Sequence, residues 1–200
     1  MNKSIIYFGT PEFSAYILEE LLKTGFKIKA VITRADKPVG RKQTTAESPV
    51  AKVAKSYNIS ALKPIKLSDE FIGQNQTQLQ ADLYIVASYG KIIPQALLDI
   101  PKLGAINVHG SILPKYRGAS PIQTAILNGD QTTGITIMLM DAEMDHGDIL
   151  TTEVISISET DNYLTLSKKM SQLGTSLLIK TLPDFIKGKI KPQPQDHSKA

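Results

Sequence analysis

Two polar residues at the end of a short apolar segment are the first candidates for chemistry. Asn107 and His109 flank Val108, at the end of a run from Ala105 that predicts a buried strand. Side chains two residues apart on extended backbone point the same way, so both can face one site. An amide donor beside an imidazole that changes charge near neutral pH could polarise an electrophilic carbonyl. Alternatively, Asn107 caps a turn and His109 is a half-buried structural histidine.

An acidic segment, residues 141–148, is the second candidate, because four of its eight residues are Asp or Glu. It lacks the regular oxygen-ligand spacing and central Gly of a calcium loop, so the sequence disfavours a metal site. One of its aspartates could orient or charge His109, a role that suits a carboxylate near imidazole. Sequence distance does not decide which aspartate does so, and a solvated loop is the plain alternative.

A compact turn directly after His109 completes this set. Its residues are Ser111-Ile112-Leu113-Pro114-Lys115-Tyr116-Arg117-Gly118. An apolar turn followed by Arg117 could wall a flat aromatic ligand, or it could be a loop with two turn residues. Nicotinamide and nucleotide triphosphate cofactors are disfavoured, because Gly9 stands alone where a dinucleotide fingerprint needs three glycines and the chain has no Walker A lysine motif. A serine hydrolase is disfavoured because the chain has no G-x-S-x-G elbow.

The elements that must position these residues alternate along the chain. The hydrophobic pattern predicts strands at 4–8, 28–33, near 61, 83–87, 105–108, 134–140 and 149–157, and helices after Thr10, at 48–57, from 68, near 94, at 120–127 and at 163–186. We expect Thr10 to cap the first helix. The alternation predicts an α/β fold, an open, mostly parallel Rossmann-like sheet with helices on both faces. Ligands bind such sheets beyond the carboxyl ends of the strands, here after Val86, Val108 and Met140.

Two segments lack hydrophobic periodicity. Residues 34–48 predict a polar, mobile loop, whose four basic residues and one Asp before Glu47 leave a local charge of +3. The segment from Gly188 to Ala200 is rich in Lys, Pro and Gln, and we expect it to bury little and to start a linker.

Composition sets broader limits. The chain has 200 residues, 42% of them hydrophobic and 21% charged, enough for one domain with a sizeable core. The absence of cysteine excludes disulfides and thiolate metal sites. No apolar run reaches the ~20 residues that span a bilayer, and the N-terminus has no secretory signal pattern, so we expect a cytoplasmic protein without a membrane partner.

The segment Asn107 to Gly118 resembles the signature of the formyltransferases that use 10-formyltetrahydrofolate. Asp145 follows His109 at the distance of that family's third catalytic residue. The segments Phe8–Phe13 and Ala119–Ile122 and the pair Met140-Asp141 are most similar to the members that formylate methionyl initiator tRNA. The resemblance extends over nearly the whole chain.

The resemblance implies a role for each candidate residue. Asn107 would donate to the formyl oxygen, His109 would stabilise the oxyanion, and Asp145 would sustain the charge on His109 and relay a proton. The folate co-substrate would contact Ser111, Ile112, Leu113 and Pro114, together with Tyr89 and Gly90. The acceptor tRNA would contact Thr10, Arg41, Lys42 and Arg117, the loop 34–48 being the family's basic tRNA-contacting loop. No metal and no obligate protein partner are implied.

Three departures and three alternatives accompany the resemblance. Met144 and His146 stand where members often have Leu and Thr, and Ile112 replaces a usual Leu. Members that act on tRNA continue into a further domain, so we expect residues 1–188 to be the catalytic domain and 189–200 to begin a linker. The acceptor could instead be glycinamide ribonucleotide or an amino sugar-nucleotide, or the chain could be a non-catalytic folate- or RNA-binding module.

Overall fold

A computed structural model describes residues 3–39 and 44–200, and the chain divides into two compact units, Met1–Gly104 and Ala105–Ala200. Arg41 and Lys42 lie outside the described residues. Each unit has its own set of paired strands.

The first unit contains a parallel sheet. Its strands are β1 (Ser4–Gly9), β2 (Lys27–Ile32), β5 (Ser60–Leu62) and β6 (Leu83–Ala87), in the order β5-β2-β1-β6. Every pairing among these four strands is parallel. Its helices are α1 (Glu12–Lys23), α2 (Pro49–Ser56), α3 (Asp69–Gln74), α4 (Gln76–Leu79) and α5 (Gln95–Leu98). Strand β6 is buried along its whole length, which explains why its sequence is apolar without alternation.

We expected the segment 34–48 to be a polar, irregular loop, and this prediction is wrong in part. It contains a short antiparallel pair, β3 (Lys37–Val39) and β4 (Thr44–Ala46). Lys63 holds both sides of the base of this hairpin, with its Nζ 2.9 Å from Asp36 Oδ2 and 3.0 Å from Glu47 Oε1. Burial alone would lower the pKa of Lys63, but the two carboxylates outweigh it and raise the pKa.

The start of α1 differs from the prediction. Pro11, not Thr10, is the N-cap, and its carbonyl accepts from the N–H of Ala15 at 2.9 Å. The Thr10 hydroxyl donates instead to the carbonyl of Tyr89 at 3.0 Å. A backbone carbonyl from a neighbouring loop therefore competes successfully for the hydroxyl that would otherwise cap the helix.

The second unit contains an antiparallel sheet. Its strands are β7 (Ala105–His109), β8 (Thr132–Leu139) and β9 (Ile149–Ser156), and β8 pairs with both of the others. Its helices are α6 (Pro121–Leu127) and α7 (Tyr163–Ile186). The predicted α/β class is confirmed, with parallel strands in the first unit and antiparallel strands in the second. No helix within residues 3–39 and 44–200 is both long enough and apolar enough to cross a membrane.

The C-terminal segment packs onto the second unit, although its sequence offers little to bury. Ile149 and Gln193 exchange two backbone hydrogen bonds, at 2.8 and 2.9 Å. Two residues later, Gln195 is only 5% exposed, whereas Pro194 and Asp196 on either side are exposed. The polar side chain of Gln195 is therefore buried in the second unit.

Candidate active site

Asn107 and His109 occupy the end of β7, on the same face of the strand. Pairing with β8 places them opposite Met138 and Thr136. Asn107 is half-buried, and His109 is 5% exposed. The two-residue spacing on extended backbone thus brings the amide and the imidazole to one place.

The imidazole of His109 is held between a carbonyl and a carboxylate. Its Nε2 lies 2.9 Å from the Tyr116 carbonyl oxygen, and its Nδ1 lies 3.5 Å from Asp145 Oδ1. Because a carbonyl oxygen only accepts, Nε2 carries a proton and donates it to Tyr116. The separation between Nδ1 and Oδ1 is long for a hydrogen bond, so a proton on Nδ1 can be shared with a third group.

Asp145 presents both carboxylate oxygens to donors. Oδ1 accepts from Asn107 Nδ2 at 3.2 Å, and Oδ2 accepts from the Gly118 N–H at 2.8 Å. The backbone of Asp145 is left-handed, with φ 50°, a conformation that costs a non-glycine residue about 1–2 kcal/mol. This strain lies at the residue that aims the carboxylate at Asn107 and His109, as strain at functional sites often does.

The structure resolves which aspartate faces His109. Asp141, another aspartate of the segment 141–148, accepts from the His146 ring nitrogen Nδ1 at 2.7 Å and from the N–H of Glu143 at 2.9 Å. Its carboxylate is therefore engaged within its own loop, and Asp145 is the partner of His109. Among the residues that the structure describes, no three His, Asp or Glu side chains converge as a metal site would require.

When His109 is protonated, two donors face one oxygen atom of Asp145. Asn107 Nδ2 and His109 Nδ1 both point at Asp145 Oδ1, at 3.2 and 3.5 Å. A carbonyl oxygen that enters beside Asp145 meets the same two donors, and the amide carries a second N–H as well. Such a pair can stabilise negative charge that develops on a carbonyl oxygen during nucleophilic attack.

The turn Ser111–Pro114 is anchored to β8 by one buried hydroxyl. Thr136 Oγ1 accepts from the Leu113 N–H at 3.1 Å and donates to the Ser111 carbonyl at 2.7 Å. Ser111 and Leu113 are buried, while Ile112 and Pro114 are half-buried, and the Leu113–Pro114 peptide is cis. Thr136, which sequence reasoning missed, thereby fixes the shape of this apolar turn next to His109.

Arg117 has partners inside the protein. Its Nε and Nη2 donate to Gln195 Oε1 at 3.2 and 2.7 Å, and Nη2 also lies 2.8 Å from His197 Nδ1. The His197 ring stacks on His146, with centroids 4.1 Å apart and planes 6° apart. Sequence reasoning missed Gln195 and His197, because nothing in the C-terminal composition marks them as part of a site.

The remaining predicted site residues belong to the first unit. Tyr89 follows β6 and is 4% exposed, with its ring edge-on to Phe8 at a centroid distance of 5.5 Å. Burial raises the pKa of Tyr89 to about 12. Gly90 is exposed and adopts φ 80°, which favours glycine, and Thr10 bonds to the Tyr89 carbonyl as described above.

Comparison with known proteins finds relatives by sequence and neighbours by structure. The methionyl-tRNA formyltransferase of Lactobacillus acidophilus is 47% identical over 196 residues, which cover 98% of this chain and 62% of that protein. The chain thus spans less than two thirds of this relative's length. The crystal structure of phosphoribosylglycinamide formyltransferase from Bacillus Halodurans matches with a TM-score of 0.76 at 23% identity, over 92% of this chain and 95% of that one.

A third match is the N-formyltransferase from Helicobacter canadensis, solved in complex with folinic acid and dTDP-3-aminofucose. Its TM-score is 0.73 at 23% identity, over 100% of this chain and 69% of that one. At such identities the two structural matches show a shared fold, Rossmann-like with a mixed sheet. A family model described as Formyl transferase matches residues 1–182, which contain β1 to β9 and the cluster of Asn107, His109 and Asp145. The chain therefore belongs to the formyl transferase family.

Proposed function

We propose that this chain transfers a formyl group from 10-formyltetrahydrofolate to the amino group of methionyl initiator tRNA. The observation that carries the proposal is the convergence of Asn107 Nδ2 and His109 Nδ1 on one oxygen, Asp145 Oδ1. That geometry suits a reaction in which a carbonyl oxygen becomes an oxyanion. The 47% identity to a methionyl-tRNA formyltransferase over 98% of the chain supports the choice of acceptor.

The proposed reaction is a direct transfer without a covalent enzyme intermediate. The amine nitrogen attacks the formyl carbon, and the formyl oxygen takes up negative charge while the second N–H of Asn107 and the Nδ1 proton of His109 donate to it. Asp145 sustains the positive charge on His109 and accepts the proton that the attacking amine releases. N10 then receives this proton and the bond from the formyl carbon to N10 breaks, so that the tetrahedral intermediate collapses to the formylated amine and tetrahydrofolate leaves.

We assign the donor site to the turn Ser111–Pro114, and contacts of Tyr89 and Gly90 with the folate stay predictions. The turn offers half-buried apolar surface directly after His109, and Thr136 holds it rigid, as a flat pterin ring requires. A fold neighbour that binds folinic acid supports a folate as the donor. No step of this assignment requires a metal ion.

On the acceptor side, the proposal rests on the hairpin within residues 34–48. Lys63 pairs with Asp36 and Glu47 at its base, so the acidic groups of the segment are already compensated by a residue outside it. The net positive charge of the segment would attract phosphates, which gives salt-sensitive affinity. The contacts of Arg41, Lys42, Thr10 and Arg117 with tRNA stay predictions.

Residues 1–188 are proposed to form the catalytic domain, with 189–200 beginning a linker in a protein of the relatives' length. The position of Gln195 means that this segment also contributes to packing around the site. Initiator tRNA is charged in the cytoplasm, which is where we place the reaction.

Substitution of His109 by Ala tests the proposal. We expect formyl transfer to methionyl initiator tRNA to fall by roughly 10²–10³-fold or more, because one of two oxyanion donors and its charge are lost. Binding of 10-formyltetrahydrofolate and the unfolding midpoint serve as controls, and both should stay near the wild-type values. Activity within a few fold of wild type would rule out the catalytic assignment and favour a binding module.

A further inference from the structure

The side-chain amide of Gln195 makes four hydrogen bonds. Its Nε2 donates to the carbonyls of Asp145 and Gly147 at 3.0 and 2.7 Å, and its Oε1 accepts twice from Arg117, at 3.2 and 2.7 Å. A primary amide offers two donor hydrogens and two acceptor lone pairs, and all four are used here. The partners also fix the amide orientation, because guanidinium only donates and carbonyls only accept.

Gln195 connects two of the segments that position the carboxylate of Asp145. One is the loop around Asp145 itself, to which Gln195 is hydrogen-bonded through the carbonyls of residues 145 and 147. The other is the segment of Arg117, whose neighbour Gly118 donates its N–H to Asp145 Oδ2 at 2.8 Å. The loop is constrained further at Gly147, where an added Cβ would lie 2.1 Å from the Leu139 carbonyl oxygen.

The hydrogen bonds of Gln195 stabilise a backbone conformation that the chain would otherwise leave. Asp145 is left-handed at φ 50°, and a loop residue without support relaxes toward the right-handed or extended regions. Such a relaxation would turn the carboxylate away from Asn107 and His109. Gln195 bonds to the carbonyl of Asp145 and is itself 5% exposed, so water competes little for those bonds.

We propose that Gln195 is a positioning residue for formyl transfer: it locks the Asp145 loop to Arg117 and so aims the Asp145 carboxylate at Asn107 and His109. This inference rests on the proposed function, since it assigns Gln195 to the same site. Gln195 touches none of the reacting groups, and it acts through the backbone of Asp145. Misplacement of a catalytic group by about 1 Å costs up to about 10²-fold in rate.

Two variants test the inference without opening a cavity. Gln195→Met keeps the length and volume of the side chain but removes all four hydrogen bonds. Gln195→Glu keeps an acceptor for Arg117 but sets a carboxylate oxygen against the carbonyls of Asp145 and Gly147, so it should be at least as defective. The matched control is Gln193→Ala, because Gln193 has an exposed side chain and joins β9 only through its backbone in the bridge to Ile149.

The first readout needs no activity. The Gly118 amide proton donates to a carboxylate oxygen, and its ¹⁵N–¹H signal should move upfield in both Gln195 variants as Asp145 turns away. The second readout is the kinetics of formyl transfer, where we expect kcat to fall by about 10–100-fold while KM for 10-formyltetrahydrofolate changes less than twofold. Gln193→Ala should leave both readouts unchanged.

An unmoved Gly118 signal, or an unchanged kcat in folded Gln195→Met, would overturn the inference. Circular dichroism establishes that each variant is folded, and Gln195→Glu decides the question if Gln195→Met does not fold. A failure of the proposed function is seen separately, because it would show in the wild-type chain as absent formyl transfer. The Gly118 signal would then decide alone whether Gln195 positions Asp145.

Discussion

Replacing Asp145 by Asn removes one negative charge and leaves the shape of the side chain unchanged. An amide cannot satisfy all the donors around this position. If its oxygen accepts from the Gly118 N–H, its NH₂ faces Asn107 and His109, and the opposite orientation sets NH₂ against the Gly118 N–H at about 2.8 Å. Either way, one hydrogen bond to a buried acceptor becomes a contact between two donors.

The electrostatic loss follows from the distance between the two charges. For a protonated His109, a unit charge 3.5 Å from Asp145 Oδ1 gains about 5 kcal/mol at an effective dielectric constant of about 20. That dielectric suits a pair whose side chains are 6% and 12% exposed. Because about 1.4 kcal/mol corresponds to tenfold in rate, we expect kcat for Asp145→Asn to fall on the order of 10³-fold.

Single-turnover formyl transfer from 10-formyltetrahydrofolate is the assay for this prediction. Glu143→Gln is the matched control, since it removes one charge from an exposed position of the same loop and should keep kcat within about twofold. A rate for Asp145→Asn within threefold of wild type would refute the electrostatic role given to Asp145. An equal loss in Glu143→Gln would mean that total loop charge, not placement, is what matters.

Three further predictions concern other parts of the chain. Gly147→Ala should lower the free energy of unfolding by about 1–3 kcal/mol and reduce kcat, because the new Cβ would lie 2.1 Å from the Leu139 carbonyl oxygen. Urea denaturation measures this loss. The control is Gly73→Ala in α3, which has open space at its Cβ and should be neutral or stabilising. Asp82→Asn should destabilise the protein at pH 7, because the Ser4 N–H and hydroxyl and then Lys3 lower the pKa of Asp82 to about 2. A lowered pKa gives stability above the ordinary value of 3.8 that is lost as pH falls toward 2, so the gap in urea midpoint between wild type and variant should close over that range, and a constant gap would contradict the assignment. Arg41→Ala with Lys42→Ala should raise KM for tRNA and flatten its salt dependence while donor binding stays constant, whereas equal loss of both would mean that the loop supports the donor pocket.

Most elements of the fold follow from hydrophobic pattern, and the exceptions have local causes. The long apolar strands and the amphipathic α7 lie where their periodicity predicted them. The pair β3 and β4 was not predicted because strands of three residues are too short to show a period of two. The N-cap of α1 lies one residue later than predicted, because the Thr10 hydroxyl donates to the Tyr89 carbonyl. The sequence alone does not reveal this hydrogen bond.

The candidate site also has parts that the sequence predicts and parts that it does not. The juxtaposition of Asn107 and His109 follows from the period of two on a strand, and the structure brings Asp145 to them. Which aspartate of the segment 141–148 faces His109 depends on the left-handed backbone at Asp145, which no local pattern encodes. The role of Gln195 depends on hydrogen bonds to residues 48 and 50 positions away, and its Pro- and Gln-rich surroundings predict exposure.

The most direct test of the central claim is a comparison of acceptors in single-turnover reactions with labelled 10-formyltetrahydrofolate. Methionyl initiator tRNA, glycinamide ribonucleotide and an amino sugar-nucleotide are supplied in parallel to the wild-type chain and to His109→Ala. We predict that the wild-type chain formylates methionyl initiator tRNA and that His109→Ala does not. Formylation of one of the other amines instead, or equal transfer by His109→Ala, would contradict the account.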